Sequence, residues 1–263
     1  ARSFRQVVGY QNLEELSERV DRFSYRVLKK ECLDLPDKVY LRREVELTPE
    51  QKKVYGELKE YAIAELGEME QVSVNNVLTQ MLRLHQVVCG YTKTDEGTEI
   101  PIENNRIDEL INVIGEMRGK IIIWANYRHN IKEIVETMQE LGGPDCVASY
   151  YGDTSDEERE SVIERFQDPD SELRYFVGNT QTGGYGITLT QAQNVIYYSN
   201  NFDLEKRLQS EDRAHRIGQD SKVTYVDLVA PKTVDENIVK ALRNKLNLAQ
   251  EVLGDEKWKS WLT

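Results

Sequence analysis

From residue 120 onward the chain alternates five short apolar runs with amphipathic segments, and that alternation leaves few architectures open. The runs are KIIIWAN (120–126), CVASYY (146–151), LRYFVGN (173–179), NVIYYSN (194–200) and VTYVDLVA (223–230). Each is β-branched or aromatic and nearly continuous, as strands covered on both faces should be. Between them, NIKEIVETMQEL sets Ile131, Ile134, Val135, Met138 and Leu141 at helical spacing, and SDEERESVIERF does likewise with Arg159, Val162, Ile163 and Phe166. Upstream, NRIDELINVIGEM places Ile107, Leu110, Ile111 and Ile114 on a helix that feeds the first strand. Ser155 with Glu158, and Thr233 with Glu236, have the spacing of capping boxes. Strands that alternate with helices pair in parallel through right-handed crossovers. The expected fold is therefore α/β, an open, mostly parallel sheet with helices on both faces.

Residues 1–100 read as a helical region. Thr48, Pro49 and Gln51 open a long helix with a cap and a proline in its first turn, and VNNVLTQMLRLHQVV forms a second. The polar stretch YTKTDEGTEIP (91–101) marks the expected boundary. The α/β lobe then occupies 101–250, and a tail helix 251–263.

The net charge of −12, from 46 acidic and 34 basic residues, opposes general affinity for nucleic acid, so any phosphate site must be local. Three distant cysteines, Cys32, Cys89 and Cys146, form no CxxC pair and indicate neither a disulfide framework nor a zinc site. That cysteine usage suits a reducing compartment, cytoplasmic or nuclear, with cytoplasmic preferred. His85, His129 and His215 show no ligand spacing, so no metal site is expected. Trp258 and Trp261 read as anchors for the last helix or as a partner site. No apolar run approaches the ~20 residues of a membrane span. The opening ARSFRQ is neither a signal peptide nor an initiator sequence, and the chain is expected to be a piece of a longer protein.

Ligands of open parallel sheets bind beyond the carboxyl ends of the strands, which directs attention to three loops. GNTQTGGYGITLT carries Gly183, Gly184 and Gly186, which let backbone N–H groups turn toward an oxyanion. A plain glycine turn explains the cluster equally well. YGDTS offers Gly152, Thr154 and Ser155 at a helix N-terminus, either an anion site or an ordinary capped turn. The third loop leads to QSEDRAHRIGQ (209–219), where Gln209, Arg213 and Arg216 stand at i, i+4 and i+7 on one expected helix face. Glu211 and Asp212 point elsewhere, so substitution of Glu211 should cost little. Mixed charge alone fits a solvated, salt-bridged helix, whereas two planar guanidiniums on one face suit a polyphosphate clamp.

QSEDRAHRIGQ closely resembles the last motif of the Swi/Snf family of DNA-translocating ATPases, in helicase superfamily two. GNTQTGGYGITLTQAQNVIYYSN, KIIIWANY and YYGDTSDEERESVIERF are similar to other motifs of that family, in the right order. FSYRVLKKECLDLPDK, LTPEQKKVYGEL and QMLRLHQVVC resemble the connector between its two lobes. The resemblance implies a C-terminal RecA-like lobe, with residues 1–100 as connector. It implies that Arg213 and Arg216 act catalytically on ATP, beside Gln209, Gly184 and Gly186. It also implies that Asn126, Gly152, Thr154, Ser155, Thr180, Thr182 and Gly183 contact double-stranded DNA. Two departures bear on the subfamily: NNFDLEKR has Phe202 where the family has a tryptophan and lacks its proline, and Arg26-Val27 stands where the connector has an arginine pair.

No G-x-x-x-x-G-K-[ST] occurs; the segment from Gly115 to Lys120 has the wrong spacing and runs into a strand. No Asp-Glu-x-His follows an apolar strand, and Asp108-Glu109 lies within a helix. ATP and Mg²⁺ are then expected to be held mainly by an N-terminal RecA-like lobe of the same protein, acting as a monomer, and this chain alone should be inactive. The alternative is a non-catalytic RecA-like interaction module. A Rossmann-type nucleotide-sugar transferase lobe is a third possibility, but it needs a ribose-binding acid, and Asp203, near the right spacing, opens a charged helix.

Overall fold

In a computed structural model of the chain, the described residues are 11–24, 32–68, 74–94, 96–183 and 186–253. Gly184, the Arg26-Val27 pair, Trp258 and Trp261 lie outside them. The elements begin with helix α1 (Leu13–Asp21), strand β1 (Lys38–Glu44), helices α2 (Pro49–Glu68) and α3 (Val74–Val88), and a hairpin of β2 (Tyr91–Lys93) and β3 (Glu99–Pro101). Alternation follows: α4 (Arg106–Gly115), β4 (Lys120–Trp124), α5 (Arg128–Gly142), β5 (Val147–Tyr150), α6 (Asp156–Gln167), β6 (Tyr175–Gly178) and the short α7 (Thr180–Gly183). Then come β7 (Ala192–Tyr197), α8 (Leu204–Glu211), β8 (Val223–Val229) and α9 (Val234–Leu253).

The main sheet has six strands in the order β1-β8-β7-β4-β6-β5, every neighbouring pair parallel. The five apolar runs supply five of them. The central strand β4 shows why such runs lack alternation: Ile121 and Ile123 face one core with Leu110, Ile131 and Ile134, while Ile122 and Trp124 face another with Val162 and Phe166. All four are fully buried. A sheet with helices on both faces has no solvated side to tolerate a polar residue.

The sixth strand comes from the lead-in, which is not wholly helical: β1 pairs with β8 from Lys38↔Val223 to Glu44↔Val229. KVYLRRE is only half-buried and charged at both ends, because it is the sheet's edge. Its charges are used. Arg42 pairs with Glu236, and Arg43 with Glu109 and Glu116. The polar stretch 91–101 forms the hairpin, Tyr91↔Pro101 to Lys93↔Glu99.

Two capping boxes form as the spacing predicts. Ser155 and Glu158 cap α6 reciprocally, as Thr48 and Gln51 cap α2. Gln51 also donates to the carbonyls of Val87 and Val88, joining the start of α2 to the end of α3. At α9 the pattern is shifted: Thr233 accepts from Asp235 N, and Glu236 accepts from Lys232 N. The displacement follows from Asp235, which is fully buried and bound to Arg106 at 2.6 Å.

Candidate nucleotide and DNA interface

The residues expected to meet DNA collect at the carboxyl ends of β4, β5 and β6. Asn126 follows β4; its N–H donates to Ser199 Oγ at 2.9 Å, and its carbonyl accepts from Asn179 Nδ2 at 2.7 Å. Thr180 opens α7 and is buried, yet its Oγ1 has no hydrogen-bond partner among the described residues. Thr182 is half-buried on the same short helix, which ends at Gly183. A cavity of about 320 Å³ opens beside them, walled by Leu78, Met81, Leu82 and Phe202. After β5, Thr154 Oγ1 accepts from Tyr151 N at 3.1 Å, and Ser155 is committed to its capping box. Their side chains therefore serve the turn itself. What projects there is Arg128, a residue the motif reading missed: its exposed guanidinium lies beside Gly152 and pairs with Asp153 at 3.0 Å.

The residues expected to meet ATP form a second group, and here the structure corrects two expectations. The helix ends at Glu211, so Gln209 lies on α8 while Arg213 and Arg216 lie in the turn that follows. Three features end it. Tight bonds from Arg213 N to Ser210 O and Ala214 N to Glu211 O compete with the last helical bond, His215 N to Glu211 O; Leu189 N captures the Arg213 carbonyl, and Gly218 adopts a left-handed φ of 94°. Nor does the turn lie beyond the carboxyl ends of the strands. It leads into β8 and packs on residues 187–190, which lead into β7, so both arginines sit on the amino-terminal approach to those strands.

The turn nevertheless keeps the two arginines together. Arg213 Nη1 donates to Ile187 O at 3.3 Å and Arg216 Nη1 to Thr188 Oγ1 at 3.2 Å, so both rest on adjacent residues just after Gly186. Burial and the neighbouring Arg216 charge lower the pKa of Arg213, with Asp212 opposing. Gly186 is exposed with φ +74°. Gln209 donates to Glu205 at 2.8 Å, and its Oε1 is buried with no hydrogen-bond partner among the described residues. The motif's last residue, Gln219, is a rivet: its buried Nε2 lies 2.9 Å from the Thr190 and Ala192 carbonyls and 3.2 Å from that of Ala214.

Glu211 does point away from the arginines, but not to solvent. It is fully buried, accepting from Arg207 Nε at 2.9 Å, Lys38 Nζ at 2.9 Å and Tyr40 Oη at 2.8 Å. Arg207 also binds Asp227 at 2.5 Å and Asn200 at 2.7 Å. Burial opposes the carboxylate, and Lys38 and Arg207 outweigh it, holding the Glu211 pKa below its ordinary value. Glu211 is thus a node of the core, which reverses the expectation for its substitution: a loss of stability is now expected.

Residues 104–218, which include all the expected site residues, match the family model of the helicase conserved C-terminal domain. A Mycoplasma pneumoniae protein named an uncharacterized ATP-dependent helicase is 28% identical over 94% of this chain, which spans 24% of that protein. Human SWI/SNF-related matrix-associated actin-dependent regulator of chromatin subfamily A member 1 is 30% identical over 71% of this chain, which spans 19% of it. The chain belongs to the Swi/Snf family, as a C-terminal helicase lobe. Among solved structures, the Sulfolobus solfataricus SWI2/SNF2 ATPase core in complex with double-stranded DNA is similar over 95% of this chain and 54% of that one, with 26% identity and a TM-score of 0.63. The Swi/Snf lobe is RecA-like, and β1 is its own edge strand, lying outside the part that the family model matches. No helix among its described residues is long and apolar enough to cross a membrane.

Proposed function

We propose that this lobe works in a two-lobed, ATP-dependent double-stranded-DNA translocase or remodeller, supplying Arg213 and Arg216 to the phosphates of ATP and its carboxyl-end loops to DNA. The carrying observation is the seating of both guanidiniums on the single segment Ile187–Thr188, close enough that Arg216 disfavours the charge on Arg213. A polyphosphate relieves that repulsion and suits the planar, two-pronged contacts of arginine. Arginines presented across a cleft stabilise charge that develops on the transferred phosphoryl group, an effect worth about 10³ to 10⁵ in rate. Gln209, with its buried amide oxygen, and Gly186 would flank the nucleotide, as would Gly184. With no G-x-x-x-x-G-K-[ST] loop and no Asp-Glu-x-His strand in this sequence, ATP and Mg²⁺ would be gripped mainly by the N-terminal lobe. Magnesium, when bound, neutralises phosphate charge.

DNA would pass over Asn126, Thr180, Thr182, Gly183 and the Gly152–Ser155 turn, with Arg128 as an additional cation. The buried Thr180 hydroxyl, without a partner among the described residues, and the similarity to a core solved with double-stranded DNA support that placement. Closure of the lobes over ATP and opening after hydrolysis would step these contacts along one strand, the protein acting as a monomer. The chain spans about a quarter or less of its curated relatives, and activity of the whole protein belongs to the proposal.

The test is Arg216→Ala in the two-lobed protein. ATP binding and melting temperature should stay near the parent's while DNA-stimulated turnover falls at least a hundredfold, because the arginine acts on the transition state more than on the ground state. Arg216→Lys should fare nearly as badly. Parental hydrolysis by Arg216→Ala rejects the catalytic reading and leaves a non-catalytic interaction module.

A further inference from the structure

The arginine turn is held from one side by the lead-in strand. Lys38, at the start of β1, places Nζ 2.9 Å from Glu211 Oε2 and 3.8 Å from Asp212 Oδ1. Two residues on, Tyr40 donates to the same Glu211 oxygen at 2.8 Å. Just before the strand, the Pro36 carbonyl lies 2.7 Å from His215 Nε2, close enough to accept its hydrogen bond. Residues 36–40 thus grip the chain at 211–212 and again at 215, bracketing Arg213 and immediately preceding Arg216. The grip is long-range, spanning 171 to 179 positions of sequence. It is also stiff: β1 is fixed to β8 along seven residue pairs, and Tyr40 stacks on Tyr225, whose hydroxyl donates to the Glu211 carbonyl at 2.9 Å.

Compensating the buried Glu211 accounts for the Lys38 contact, but the Pro36–His215 contact holds the turn again on the far side of Arg213, just before the chain becomes exposed at residues 216–218. Surface turns of this kind ordinarily carry the least stable hydrogen bonds in a protein. Arg216 is exposed, with one side-chain hydrogen bond among the described residues, 3.2 Å to Thr188, so its direction depends on the backbone that carries it.

We propose that Lys38 and His215 are positioning residues for phosphoryl transfer: residues 36–40 set the turn from which Arg213 and Arg216 reach the nucleotide. The inference rests on the nucleotide-facing reading of those arginines. It makes the segment before the lobe part of the catalytic geometry, so a shift of β1 changes turnover without any change in the groups that touch ATP.

The experiment uses the two-lobed protein with saturating duplex DNA. Lys38→Met and His215→Phe remove the two grips, while Lys38→Arg and His215→Gln retain a donor at each. Ile134→Val, on the core face of α5, serves as a matched destabilised control. For each variant, kcat and KM for ATP, equilibrium binding of a fluorescent ATP analogue and melting temperature are measured. Lys38→Met and His215→Phe should lower kcat about tenfold, with nucleotide affinity within about twofold of the parent, since slight misplacement of a catalytic group is costly. The conservative variants should restore most of it, and Ile134→Val should lose melting temperature but not kcat. Parental kcat in both Lys38→Met and His215→Phe overturns the inference, as does a loss that Ile134→Val reproduces. If Lys38→Met fails to fold, the His215 pair decides by the same criteria. Parental turnover in Arg216→Ala overturns the underlying reading instead; a dead Arg216→Ala beside active Lys38→Met and His215→Phe overturns the positioning claim alone.

Discussion

Glu211→Gln replaces a buried carboxylate by an amide of the same shape, which isolates charge from volume. Lys38, Arg207, Glu211 and Asp227 form a buried or half-buried cluster of two cations and two anions; the substitution removes one of its two carboxylates and, among the described residues, leaves Lys38 only the more exposed Asp212 at 3.8 Å. The amide also has one acceptor where the carboxylate served three donors, Arg207 Nε on one oxygen and Lys38 and Tyr40 on the other. Removing one member of a buried pair costs about 3–5 kcal/mol. Lys38, with 21% of its side chain exposed, can swing toward water, which favours the lower figure. A loss of about 3 kcal/mol corresponds to about 6–12 °C in melting temperature for a domain of this size. Urea and thermal melts of the parent and the variant at pH 7 measure it directly. The sign with pH is also determined. Because the folded pKa of Glu211 is depressed, its contribution is present above the unfolded carboxylate value and is lost as pH falls through the folded one. The gap between parent and variant should therefore close in acid. A deficit under about 1 kcal/mol at pH 7, the scale of a surface ion pair, refutes the reasoning.

His85 predicts the opposite pH trend. Burial pushes its pKa down, but the Cys89 sulfur and the Asp235 carboxylate, 3.4 Å away, outweigh burial and raise it to about 9. The stability that protonated His85 contributes is therefore complete below about pH 6.5 and lost as pH rises through about 9; His85→Phe should flatten that slope in urea melts. Gln219→Ala strands three carbonyls beneath the arginine turn and should cost about 2 kcal/mol by thermal melting. Residues 1–263 alone should show no DNA-stimulated ATPase activity in a phosphate-release assay. Their duplex affinity should be weak and collapse with added salt in a titration, because a net charge of −12 repels the polyanion beyond the local site.

Sequence by itself determined what is local or periodic. Five strands were legible because a strand buried on both faces admits almost no polar residue, and the boxes at Thr48 and Ser155 because a cap is closed within four residues. The spacing of Arg213 and Arg216, with the glycines upstream, marked a segment worth singling out. Tertiary structure decided what depends on partners far along the chain. β1 reads as a charged lead-in until β8 arrives to pair with it, and Glu211 reads as solvated until Lys38, 173 positions away, supplies its counter-charge. The helix that should have carried the arginines stops at Glu211, where its carbonyls turn to tighter bonds and Leu189 takes the carbonyl of Arg213. Helical periodicity records which residues could share a face, but a helix ends where competing hydrogen bonds and burial outweigh the next turn, and here one of those competitors, Leu189, comes from the segment feeding β7.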